Sequence, residues 1–127
     1  MEINNPQVIK EVEAAFWRYE KAITSNDVAT LDELFWNSPD TIRFGLNEQA
    51  YGHAAIAAVR AARDPSDLKR DLTRLVITSY GRDAATASCE YKRIESGRTG
   101  RQMQTWMRMP EGWRVVAAHV MLHPPKT

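Results

Sequence analysis

The residues of this 127-residue chain that could do chemistry are polar groups set in apolar surroundings. Burying such a group is costly unless it is paired or serves a ligand. Arg43 interrupts the short run Ile42-Arg43-Phe44-Gly45. A guanidinium at a cavity mouth holds a carboxylate bidentately and keeps its charge at pH 7. On an edge strand the same residue is a solvated charge, and both readings stay open. Tyr19 lies on the apolar stripe of an opening helix. It is either a core residue whose hydroxyl finds a partner or a proton donor facing a cavity. Gln102, Gln104, Trp106 and Arg108 share one face of a strand. Their amides either line a cavity or form a polar face or dimer interface. His119 shares a face with Trp113, Val115, Ala117 and Met121, as a hydrogen-bonded core histidine or as a pocket group. Arg60, Arg63 and Arg70 add positive charge around a third helix and the first long strand. Arg60 follows Ile56 by one helical turn, on the inward side. Several arginines near one pocket suit a small anionic substrate; a solvated charged face accounts for the same residues.

Other chemistries lack their motifs. No Walker loop, no GxGxxG after a strand and no GxSxG elbow is present. The three histidines, His53, His119 and His123, give no expectation of a metal site, and no motif calls for a cofactor. The single cysteine, Cys89, rules out an internal disulfide and reads as a buried structural thiol. Lys and Arg number 17 against 16 for Asp and Glu, a net charge near +1. That balance argues against nucleic acid and against a membrane surface as partners. No apolar run approaches a bilayer span. The amino terminus lacks a charged segment followed by an apolar one, so no secretory signal is expected and the cytoplasm is the default location.

These side chains must be positioned by few elements. The length indicates a single domain over residues 1–127. Asn5-Pro6 starts a helix as N-cap and first residue. Val8, Ile9, Val12, Ala15, Phe16, Tyr19 and Ile23 then mark one amphipathic face running to about Thr24. Asp27 caps a second helix ending near Trp36. A short strand over Thr41 to Phe44, a loop or hairpin to Gly52 and a third helix from His53 to about Arg63 follow. From Arg70 the pattern alternates. Four strands are expected, Arg70 to Tyr80, Ala84 to Ile94, Arg101 to Met109 and Trp113 to Leu122, with glycine-bearing turns between them and a frayed tail over His123 to Thr127. Helices first and an antiparallel meander after make an α+β fold, a curved four-stranded sheet wrapped on a long helix as a cone with one open end.

This arrangement resembles the cone-shaped NTF2-like, or SnoaL-like, superfamily, whose fold is also called cystatin-like. Within it the chain resembles the AtzH-like family, which includes the oxalurate-catabolism protein HpxZ. The resemblance rests on FWRYEKAITSNDVATLDELFW (Phe16 to Trp36), TIRFG (Thr41 to Gly45), AARDP (Ala61 to Pro65), VITSYGRD (Val76 to Asp83) and GRQMQTWMRMPEGWRVVAAHV (Gly100 to Val120). It implies purine and nitrogen-compound catabolism on a small anionic ureido-carboxylate, oxalurate or dicarboxyurea. The implied activity is cofactor-independent amide (C–N) hydrolysis with decarboxylation, giving allophanate from dicarboxyurea. The family's active tyrosine and arginine fall on Tyr19 and Arg43. His119, Gln104 and Arg70 carry over as pocket lining, and Arg60 or Arg70 would help Arg43 hold the carboxylate. The alternative role is a non-catalytic binding or accessory subunit for a larger amidohydrolase, an amidase partner in the same pathway. A homodimer is expected, with Trp106, Trp113, Met103, Met107 and Met109 as contact material. Because this fold hosts enzymes, binders and adaptors, the architecture alone does not choose among them.

Overall fold

Helix α1 (Pro6–Thr24) forms where the apolar stripe predicts it. Asn5 caps it, its side-chain oxygen accepting from the Gln7 and Val8 amides. Asp27 likewise caps α2 (Val28–Leu34) through the Thr30 amide. Strands β1 (Ile42–Phe44) and β2 (Gln49–Tyr51) pair as a small antiparallel hairpin. Helix α3 (His53–Ala62) follows. Strands β3 (Arg70–Tyr80), β4 (Ala84–Arg93), β5 (Thr99–Met109) and β6 (Gly112–Leu122) form the antiparallel meander. The computed structural model describes residues 1–125.

The sheet has six strands in the order β2-β1-β6-β5-β4-β3, not the four expected. The early hairpin joins it because β1 pairs with β6 in parallel, Arg43 opposite Ala118 and Phe44 opposite His119. Three-residue strands carry too little pattern to be assigned to a sheet from sequence. Their partner is more than 70 positions away, and only tertiary structure supplies it. The sheet wraps α1, whose Val8, Val12 and Phe16 are fully buried with Trp106 and Val115. That end of the cone is packed solid. Toward the C-terminal end of α1 the sheet and α3 diverge, and a hollow remains.

Two β-bulges set which side chains face the hollow. On β6, Val115 lies opposite Trp106 and Ala117 opposite Thr105, so Val116 has no partner of its own. Trp113 and Val115 face the core before it; Ala118 and Val120 face the core after it. On β3, Thr73 is the extra residue between Leu72 and Arg74. Because side chains alternate with period two, each extra residue moves the following row to the other face.

The tail is better anchored than expected. The His123 amide donates to the Thr99 carbonyl at 2.8 Å, and its own carbonyl accepts from Arg98. Lys126 and Thr127, the end of the expected frayed segment, lie outside the described residues. Among the described residues no helix is long and apolar enough to cross a membrane.

One glycine locks the open end. A Cβ at Gly100 would overlap the Tyr91 phenol and the Met121 carbonyl, which are joined by a 3.0 Å hydrogen bond across the glycine. Gly100→Ala should therefore cost about 1–3 kcal/mol through overpacking, read as a lower urea midpoint with an unchanged m-value. An unchanged midpoint would show that this contact is slack.

Candidate functional site

The hollow is a cavity of about 540 Å³ between α1, β1 and its loop, α3 and the inner sheet face. Tyr19, Arg43, Arg60 and Arg70 all line it, although they come from four different elements. The sequence singled out these four, and the fold brings them together. Asn47, Glu48, Arg63, Asp64, Tyr91, Arg93 and Gln102 complete its polar lining.

Two expected lining residues are elsewhere. Gln104 is buried, but its Oε1 accepts from the Trp106 indole at 3.1 Å and it does not reach the cavity. Its neighbour on the same strand face, Gln102, lies one step nearer the open end and lines the cavity instead. His119 is on the opposite side of the sheet, exposed, with its ring edge-on to Phe44 at 5.9 Å. The Val116 bulge is the cause. Strict alternation puts His119 in phase with Trp113 and Val115, and the extra residue reverses that phase.

The base of the site is an ion pair. Arg70 Nε and Nη2 donate to Glu20 Oε2 and Oε1 at 3.0 and 2.7 Å, a bidentate clamp. Both side chains are buried, 5% and 9% exposed. The Arg70 guanidinium also sits 4.4 Å over the Tyr91 ring. Burial is the largest single influence and opposes its charge, but the Glu20 hydrogen bonds together with the Tyr19, Glu20 and Cys89 groups around it outweigh burial and hold its pKa above the ordinary arginine value. Glu20 was missed by the sequence reading, although it lies four residues after Phe16 and so on the buried stripe.

This clamp orients the next two groups. Gln102 Oε1 accepts from Arg70 Nη1 and Nη2, each at 3.4 Å, and from the Tyr19 hydroxyl at 3.4 Å. The reverse amide orientation would set Nε2 against the guanidinium, donor facing donor. The Tyr19 proton therefore points at Gln102, through a long, weak contact that is readily exchanged for a ligand. Gln102 Nε2 remains buried without an acceptor.

Arg43 stands on the opposite wall. Its Nη1 donates to Glu48 Oε1 at 3.3 Å, leaving the other donors of the fork uncommitted to any acidic side chain. Gly45 permits this approach, because a Cβ there would overlap the Glu48 carboxylate. Arg60, at 2% exposure, lies 4.0 Å over the Phe35 ring and 3.4 Å from Asp32. Burial pushes its guanidinium down to about 10, with the Arg43 charge adding to the fall. It is still a cation at pH 7. A cation whose folded pKa is lowered destabilises the fold while charged, so an anion paired with it restores stability.

Cys89 is buried, and burial pushes its thiol up to about 11. It is protonated at neutral pH and does not serve as a nucleophile there. Among the described residues no cluster of three His, Cys, Asp or Glu side chains is placed to hold a metal ion.

The chain matches the AtzH-like family over residues 1–125. It belongs to that family. A protein of unknown function from Pectobacterium atrosepticum, of family DUF3225, is 55% identical, with a TM-score of 0.92 over 96% of this chain and 95% of that one. A cystatin-like fold protein from Burkholderia xenovorans is 44% identical, with a TM-score of 0.91 over 98% and 99%. An NTF2-like superfamily protein from Salmonella enterica serovar Typhimurium is 27% identical, with a TM-score of 0.74 over 96% and 94%. The fold of this AtzH-like chain is thus the NTF2-like, cystatin-like cone. No curated protein matches it.

Glu20→Ala should cost about 3–5 kcal/mol, because it leaves the Arg70 charge buried and unpaired. The double variant Glu20→Leu/Arg70→Met, which replaces the pair by apolar groups, should regain most of that in urea unfolding. Equal losses in the two variants would show that the pair itself is the stabilising feature.

Proposed function

We propose that this protein is a cofactor-independent cytoplasmic amidohydrolase acting on a small ureido-carboxylate of the oxalurate or dicarboxyurea type, in purine or nitrogen-compound catabolism. The observation that carries the reading is the convergence of the Tyr19 phenol and the Arg43 guanidinium on one sheltered, arginine-lined cavity. The resemblance to AtzH-like proteins, with the catabolic role it implies, supports the substrate class.

In this reading Arg43 holds the substrate carboxylate through the donors that Glu48 leaves uncommitted. Arg60 and Arg70 supply a positive field in which a developing anion is stabilised. Tyr19 gives its proton to the leaving nitrogen, exchanging the long Gln102 contact for the new one. The phenolate then recovers a proton from the water that adds to the carbonyl carbon. Water is thereby split across the C–N bond: hydroxyl on carbon, hydrogen on nitrogen. Where the departing acyl fragment is carbonic acid or a carbamate, loss of carbon dioxide follows without further help from the protein. Gln102 fixes the starting direction of the Tyr19 hydroxyl.

A second reading concerns partners. The outer sheet face carries a groove of about 440 Å³ lined by Val76, Met103 and Met121 among Arg74, Glu90, Arg101 and His119. Met103 and Val76 are exposed there. Apolar centre and mixed charge on one face suit a second copy of the chain across a two-fold axis. Trp106 and Trp113, expected as dimer contacts, are buried in the core and contribute nothing to that face. An accessory role beside a larger amidohydrolase would use the same face.

Tyr19→Phe should lower turnover about 10²–10⁴-fold, the usual cost of losing a positioned acid–base group. Arg43→Ala should raise KM and reduce turnover. Both should keep the wild-type melting temperature. Release of ammonia or carbon dioxide from oxalurate and dicarboxyurea is the measurement; wild-type rates in both variants would overturn the assignment. Light scattering at micromolar concentration should give twice the chain mass, and Met103→Glu should halve it.

A further inference from the structure

Two arginine–carboxylate contacts in the cavity differ in kind. Glu20 grips Arg70 with both oxygens, at 2.7 and 3.0 Å, and both side chains are buried. Glu48 reaches Arg43 with one oxygen at 3.3 Å, longer than the ~2.7–2.9 Å usual for a charge-assisted bond. Arg43 is enclosed, but the Glu48 side chain is 35% exposed. Its other oxygen accepts only from the adjoining Asn47 amide, at 3.2 Å. Both residues belong to the turn between β1 and β2, closed by the Gly45 amide on the Glu48 carbonyl at 2.9 Å. Leu46, Asn47 and Glu48 line the cavity. The carboxylate lies across the bare Cα of Gly45, where any Cβ would overlap it. The chain thus makes room for a negative group on Arg43 without fastening it. That group has a use in the empty cavity. Burial lowers the pKa of Arg60 and Arg63, and the Arg43 charge adds to the fall. Arg63 itself donates only to the neutral Asn26 side chain, at 3.2 Å. Glu48 answers part of this charge until a ligand arrives.

We propose that Glu48 is a displaceable internal carboxylate: it occupies Arg43 in the empty cavity, and the carboxylate of a ligand drives it off. An incoming carboxylate first meets the donors of Arg43 that Glu48 does not touch. Two carboxylates on one guanidinium repel each other. Of the two, Glu48 is the one on a partly exposed turn with water to return to. Its departure frees Nη1, lets the fork hold the ligand bidentately and withdraws a negative charge from the lining. A neutral amide brings no charge to offset the lost ion pair and leaves Glu48 in place. Glu48 therefore sets a threshold that an anionic group passes and a neutral one does not, a specificity role separate from those of Tyr19 and Arg43. This inference rests on the ligand-holding role proposed for Arg43.

The test is an NMR titration of the whole isotope-labelled chain with sodium acetate and with acetamide, near neutral pH and at constant ionic strength, on wild type, Glu48→Gln and Arg43→Gln. The Asn47 amide reports the event, because it loses its Glu48 acceptor when the carboxylate leaves. In wild type its resonance should move in step with acetate binding and stay still in acetamide at the same concentration. Glu48→Gln should bind acetate about two- to fivefold tighter, the worth of one partly exposed ion pair. Arg43→Gln should weaken acetate and abolish the Asn47 response. An Asn47 amide unmoved at acetate saturation, or moved equally by acetamide, would overturn the proposal. Acetate binding lost in Arg43→Gln but no tighter in Glu48→Gln would also overturn it and leave the Arg43 reading standing. Acetate affinity unchanged in Arg43→Gln would overturn both.

Discussion

The open end of this cone depends on the buried pairing of Glu20 with Arg70. It ties the C-terminal half of the central helix to the far edge strand of the sheet, 50 positions away in the chain. A buried guanidinium with one carboxylate short of bidentate contact would be an uncompensated charge, so the two elements are held in one geometry. The same guanidinium fixes the Gln102 amide, and that amide fixes the Tyr19 hydroxyl. The direction of the Tyr19 phenolic proton is therefore settled by an ion pair that does not itself need to meet a ligand. Stacking of Arg70 on Tyr91 and the Gly100 contact behind Tyr91 complete the brace.

The rest of the cavity is built on excess positive charge rather than on balance. Each wall contributes an arginine with an imperfect partner: Glu48 touches Arg43 through one nitrogen, and Asp32 touches Arg60 through one. Such contacts hold the side chains in place without using up their donors. A cavity of this kind stores an electrostatic cost in the empty state that an anionic ligand relieves. It is equally suited to hold an anion and to stabilise one that develops during reaction.

Legibility in the sequence followed the length of each signal. The stripe from Val8 to Ile23 identified α1 and put Tyr19 inside, and alternation from Arg70 onward identified the meander. Arg43 was recognisable as an anomaly, but β1 holds only three residues, and its parallel pairing with β6 was invisible. Glu20 was passed over because it stands beside Tyr19 at a different angular position on the helix. Gln104 was preferred to Gln102 because both share a face, and nothing local says which of the two reaches the open end.

Amino-acid order alone determined the α+β class, the helix caps at Asn5 and Asp27 and the cluster of arginines suited to an anion, because each depends on near neighbours. Tertiary structure decided which side of the sheet His119 occupies, which glutamine meets the cavity and which arginines lack a carboxylate. Those outcomes turn on single unpaired strand residues and on contacts between distant segments, and one extra residue at Val116 reverses every side chain beyond it.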